Sequence, residues 1–93
     1  MQLPQSIPEV LGTLTRQEIN VLKLVIAGLT NQQIADELGV SVLTIKSHRQ
    51  HISLKAAVKG VTEIRKFVRE AAPHLKNTTF LLLFYYLSRS AGA

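Results

Sequence analysis

Lys46, Ser47 and Gln50 have the chemistry to read the edges of DNA bases. A lysine ammonium can donate to guanine O6 and N7, and a glutamine amide can pair bidentately with adenine N6 and N7. Ser47 is small enough to let a helix sit deep in a groove. At about 100° per residue these side chains share one side of a helix, with Ile45, Ile52 and Ala56 on the other. Asn31, Ser41 and Thr44 stand at expected helix starts. Free backbone N–H groups and the helix dipole favour an anion there, and a DNA phosphate is a natural one. Simple capping is the competing role, and it is compatible with a phosphate contact.

Other groupings point to no chemistry. His48 and His51 are three apart with no nearby third ligand, and the glutamate of H-E-x-x-H is missing, so no metal site is expected. Asp36 and Glu37 adjoin on an exposed turn and read as a solvated face. No nucleophile stands beside a base and no phosphate loop is present, so neither an enzyme nor a cofactor is expected. The chain has 93 residues and no cysteine. That length allows one small core and excludes disulfides and cysteine-ligated zinc. The longest apolar run, Phe80–Leu87, is far short of the roughly 20 residues a spanning helix needs. The start MQLPQSIPEV lacks a basic stretch followed by an apolar one. A cytoplasmic protein with no membrane partner is the expectation.

The net charge of +5 is unevenly placed. Up to Ile45, Arg16 and Lys23 face Glu9, Glu18, Asp36 and Glu37, a balance of −2. From Lys46 onward nine Lys and Arg face Glu63 and Glu70, a balance of +7. The basic excess begins within the helix that carries Lys46, Ser47 and Gln50, which suits a polyanion partner; a solvated basic surface is the competing reading.

Helices must hold these residues in place. Residues 1–13 carry Pro4, Pro8 and Gly12 without a clean period and read as an extended arm or linker end. Residues 14–73 read as the binding domain. Thr15 and Glu18 have capping-box spacing at the first helix, which Val21, Leu22, Val25 and Leu29 mark and Gly28 ends. Thr30 and Gln33 repeat the box before a second helix over 31–38. Gly39-Val40-Ser41 makes a tight turn, and Ser41 caps a third helix reaching about Ala57. Two helices so joined form a helix-turn-helix, whose second member can enter the major groove. A fourth helix runs over about 61–72, with Ile64, Phe67, Val68 and Ala71 at helical spacing and Pro73 as its stop. Residues 74–93 are an apolar extension; Thr78-Thr79 and the aromatics also suit a strand, but the expectation is a helix over about 78–88, docked on the domain or shared across a dimer.

Leu14 to Glu63 resembles the LuxR/GerE-type helix-turn-helix domain of bacterial transcription regulators. The matching residues are Leu14-Thr15, Glu18, Val21-Leu22, Leu24, Gly28-Leu29, Asn31, Ile34-Ala35, Leu38, Ser41, Thr44-Ile45-Lys46, His48, Ile52, Lys55, Val58 and Thr62-Glu63. The resemblance implies an all-α fold of four helices, the third reading the major groove, and dimers on DNA paired through the fourth. Its base-reading positions fall on Lys46, Ser47 and Gln50. Its phosphate-contacting positions fall on Asn31, Ser41, Thr44, Arg49 and Lys55. The pairing face falls on Val61, Ile64 and Val68. This sequence departs from the pattern at Arg16 (usually proline), Gln17 (arginine), Val42 (polar or acidic), Ala56 (leucine) and Val61 (arginine).

The function expected is sequence-specific binding of double-stranded DNA in transcription regulation, as a homodimer on DNA and with RNA polymerase a candidate protein partner. Sigma-factor region 4 shares much of the pattern, but the HRQHI stretch and Thr62-Glu63 fit the LuxR type better. The rival from another class is a protein-interaction module on the same scaffold. The regulator is expected either to stand alone or to be the output domain of a longer protein.

Overall fold

Local sequence signals set most helix boundaries in the computed structural model, which describes residues 6–75. The expected helix over 78–88 lies outside them. The described residues form five α-helices and a closing 3-10 turn, in keeping with the all-α class. The helices are α1 (Ile7–Thr13), α2 (Arg16–Ile26), α3 (Asn31–Leu38), α4 (Val42–Ala56) and α5 (Gly60–Ala71). The expected four helices are therefore α2 to α5. Among these residues no helix is long and apolar enough to cross a membrane.

Residues 7–13 correct the sequence reading, because they are helical rather than an extended arm. Ser6 caps the helix by accepting the Glu9 N–H, and Pro8 sits in the first turn, where its missing N–H costs nothing. So short a helix is not stable by itself. It is held because Val10 is buried in the core.

α2 and α3 open on complete capping boxes. Thr15 Oγ1 accepts the Glu18 N–H while Glu18 accepts the Thr15 N–H, and Thr30 and Gln33 repeat the exchange. α3 ends at Gly39, whose φ of 69° is left-handed and suits a residue without a Cβ. Ser41 caps α4 through the Thr44 N–H at 3.1 Å. α5 lacks a side-chain cap on its first residues, but Glu63 reaches back to the Lys59 N–H at 3.1 Å. Pro73 does not end the chain of turns abruptly: it sits inside the 3-10 turn Ala72–His74, which brings Leu75 into the core.

α4 is the central element, packed on α1, α2 and α3, while α5 packs on α2. Val21, Leu22, Ile34 and Ile45 are fully buried at the meeting point. Each such side chain contributes about 1.5–3 kcal/mol relative to exposure. Ile52, Phe67 and Ala71 extend this core toward α5. On the side of Ala56, which stands where the family pattern has leucine, an open groove of about 240 Å³ is lined by Ile7, Val10, Ala56, Val58 and Phe67, with Glu63, Lys66 and Glu70.

Candidate nucleic-acid interface

The interface is built outward from the buried stripe of α4. Ile45 and Ile52 lock one side of this helix into the core, so its opposite side must face outward. Lys46, Ser47 and Gln50 are all exposed there, on one surface. Fifteen residues make α4 about 22 Å long, enough to lie along a groove. It is joined to α3 by the turn in which the Val40 N–H donates to the Ala35 carbonyl at 3.0 Å.

The starts of α3 and α4 share an electrostatic property. α1, α2 and α5 each carry a glutamate in the first turn, namely Glu9, Glu18 and Glu63, which offsets the positive end of the helix dipole. α3 and α4 have no acidic residue there. The positive ends of the two motif helices carry no such offset. Asn31 opens α3 and is half-buried. Exposed Ser41 and half-buried Thr44 stand at the start of α4, their hydroxyls 3.0 Å apart.

Arg49 and Lys55 are not brought to the outward face. Half-buried Arg49 lines a small cleft with Leu22, Val25, Ile52, Ile64, Phe67 and Val68, and desolvation holds its guanidinium below its usual pKa. Its stem packs along the apolar stripe, the side of α4 near which helical spacing places it. Lys55 turns toward α2. Its Nζ donates to Glu18 Oε1 at 2.7 Å and to the Thr13 carbonyl at 3.1 Å.

Glu18 thus has a second role beside its cap. It is 3% exposed, the one buried charged residue among those described. Burial pushes its pKa up, but the hydrogen bonds from Lys55 and from the Thr15 N–H outweigh this and leave it below the ordinary carboxylate value. The cluster fastens α4 to α2 and to the end of α1. Sequence spacing did not reveal it, because Glu18 and Lys55 are 37 residues apart.

The same carboxylate brings the histidines a neighbour. Ligand atoms of Glu18, His48 and His51 lie within 4.8 Å of one another, and His51 Nδ1 is 3.8 Å from Glu18 Oε2. The Lys55 ammonium already serves that carboxylate as its cation. Glu18 is thus the third group that spacing did not show beside the two histidines, and its close ion pair is with Lys55.

On α5, Val61 is 65% exposed, while Ile64 and Val68 are half-buried beside Arg49. The sequence reading also passed over Leu43 and Leu54. They are 76% and 68% exposed, on the same side of α4 as Lys46 and Gln50. Leu43 precedes Lys46, Ser47 and Gln50 by three, four and seven residues, a helical spacing that could have signalled it.

Comparison with known proteins fits this arrangement. Residues 12–68 match the family described as bacterial regulatory proteins, luxR family. Over 66 residues the chain is 33% identical to the transcriptional regulatory protein TdiR of Thauera aromatica, covering 71% of this chain and 29% of that protein. Over 54 residues it is 35% identical to the oxygen regulatory protein NreC of Staphylococcus aureus, strain JH9, covering 58% of this chain and 25% of that one. The chain's matches thus span less than a third of these relatives. No solved structure matches significantly.

Proposed function

Because the chain belongs to the luxR family of bacterial regulatory proteins, we propose that it binds double-stranded DNA in a sequence-specific way and so regulates transcription in the cytoplasm. α4 lies in the major groove, with Lys46 donating to guanine, Gln50 pairing with adenine and Ser47 allowing close approach. The observation that carries this reading is the division of α4 into a locked and a free side. Ile45 and Ile52 are buried while Lys46, Ser47 and Gln50 are exposed together. Asn31, Ser41 and Thr44 meet phosphates at the uncompensated starts of α3 and α4. Arg49 and Lys55 act on the helix from behind, through the cleft and the Glu18 pair. Two copies pair on DNA through Val61, Ile64 and Val68 of α5, with half-sites about one helical turn apart. RNA polymerase is the protein partner this role would engage.

Selection of bound sequences from random duplex DNA tests the proposal. A preferred site should emerge, and affinity for it should fall steeply with salt as counterions are released. Lys46→Ala or Gln50→Ala should each cost about 1–3 kcal/mol on that site and relax base choice at one position. Equal losses on preferred and random duplexes would reduce both residues to phosphate contacts. Salt-insensitive binding, or no enriched sequence, would favour a protein-interaction module instead.

A further inference from the structure

We propose that Leu43 is a specificity-determining residue that packs on the 5-methyl group of a thymine in the major groove. The proposal rests on the reading of α4 as the groove helix and adds a contact of a different chemical kind. Leu43 is 76% exposed, the most exposed of the large hydrophobic residues among those described. An exposed leucine alone is ordinary. Its position is what carries the argument.

Leu43 is the second residue of α4, in the N-terminal part of a recognition helix, which is the part that reaches base edges. At 100° per residue it lies within about 60° of Lys46, Gln50 and Ser47, inside their arc. Its side chain therefore points the same way as the hydrogen-bonding groups. All three neighbours on that surface are polar and exposed, so Leu43 is a single apolar point and not part of an apolar patch. A protein partner would ask for contiguous apolar area. Leu54 does not extend the surface into a patch, since it lies 11 residues on, or about 16 Å along the axis.

The major-groove edge matches that pattern. Its floor is a row of donors and acceptors interrupted by one kind of apolar group, the thymine methyl, which apolar side chains contact. Leu43 is about 4.5 Å along the helix from Lys46. The thymine should then lie about one or two base pairs from the base that Lys46 reads. Val42 and Thr44, on either side, are half-buried, which leaves Leu43 as the outward residue of the first turn.

The experiment uses the selected site and the full chain. Each thymine is replaced singly by deoxyuridine, which keeps every hydrogen-bonding group and removes only the methyl. One position in each half-site should weaken binding by about fourfold, the worth of one buried methyl group. Leu43→Ala should weaken binding to the thymine duplex by at least as much and be indifferent to deoxyuridine at that position. It should melt like the parent chain, because the side chain touches little of the core. Sensitivity to deoxyuridine nowhere in the site, or undiminished sensitivity in Leu43→Ala, would overturn the assignment. If Lys46→Ala and Gln50→Ala still relax base choice in that case, groove reading by α4 stands and only the Leu43 contact falls. If no sequence is enriched at all, both fall together.

Discussion

Truncating Lys55 to alanine removes the ammonium that lies 2.7 Å from a carboxylate of 5% side-chain exposure. Glu18 keeps the Thr15 N–H at 2.9 Å but loses its charged donor, and the Thr13 carbonyl loses its 3.1 Å partner. A hydrogen bond to a charged group is worth about 1.5–3 kcal/mol. The Lys55 side chain is itself 34% exposed, so water enters readily and part of that is recovered. We therefore expect a loss of about 1–2 kcal/mol, toward the lower end of that range. For a domain of this size each kcal/mol moves the melting temperature by about 4–8 °C. Lys55→Ala should accordingly melt roughly 5–15 °C lower by circular dichroism at neutral pH. The decisive measurement is the double-mutant cycle with Glu18→Gln. Once Glu18 is neutral, Lys55→Ala should cost less than half as much, since no stranded charge remains. A cost under about 0.5 kcal/mol, or the same cost in both backgrounds, would refute the reasoning and make this an ordinary surface pair. If instead Lys55 meets a DNA phosphate, the variant would leave the melt unchanged. It would lower the salt dependence of DNA binding by about one counterion.

The pH dependence follows from the same group. Because the folded pKa of Glu18 is lowered, its contribution is present at neutral pH and is lost as pH falls through and below the ordinary carboxylate range. The melting gap between the parent and Glu18→Gln should be widest above about pH 5 and narrow in acid; a constant gap from neutral to acid would contradict it. Two substitutions at left-handed caps should act in opposite directions. Gly39→Ala meets no atom within 4 Å but must hold a φ of 69°, so urea unfolding should show a loss of about 1–2 kcal/mol. Ala57 already has a φ of 56°, and Ala57→Gly should gain up to about 1 kcal/mol. Effects of the same sign would show that neither cap is governed by backbone strain.

Local chemistry made much of this protein legible from its residues. Thr15 with Glu18 and Thr30 with Gln33 are capping boxes within one turn, and Gly39 stops a helix through its own backbone freedom. Such signals act between neighbours in the chain, so spacing alone exposes them. The side of α4 carrying Lys46, Ser47 and Gln50 was legible for the same reason, given Ile45 and Ile52 opposite. Longer-range features were not. α1 looks like a linker by its Pro8 and Gly12, and it is a helix because Val10 finds a core supplied by other helices. Lys55 looks like a free cation on a basic helix, yet it is held by Glu18; the place of Arg49 on α4 points its stem to the apolar stripe, but only the packing of α2 and α5 makes the cleft around it. Leu43 and Leu54 make α4 apolar on both sides, which blurs its period. Packing decided between those sides, because Ile45 meets Val21, Leu22 and Ile34 within one core and Leu43 is left facing outward.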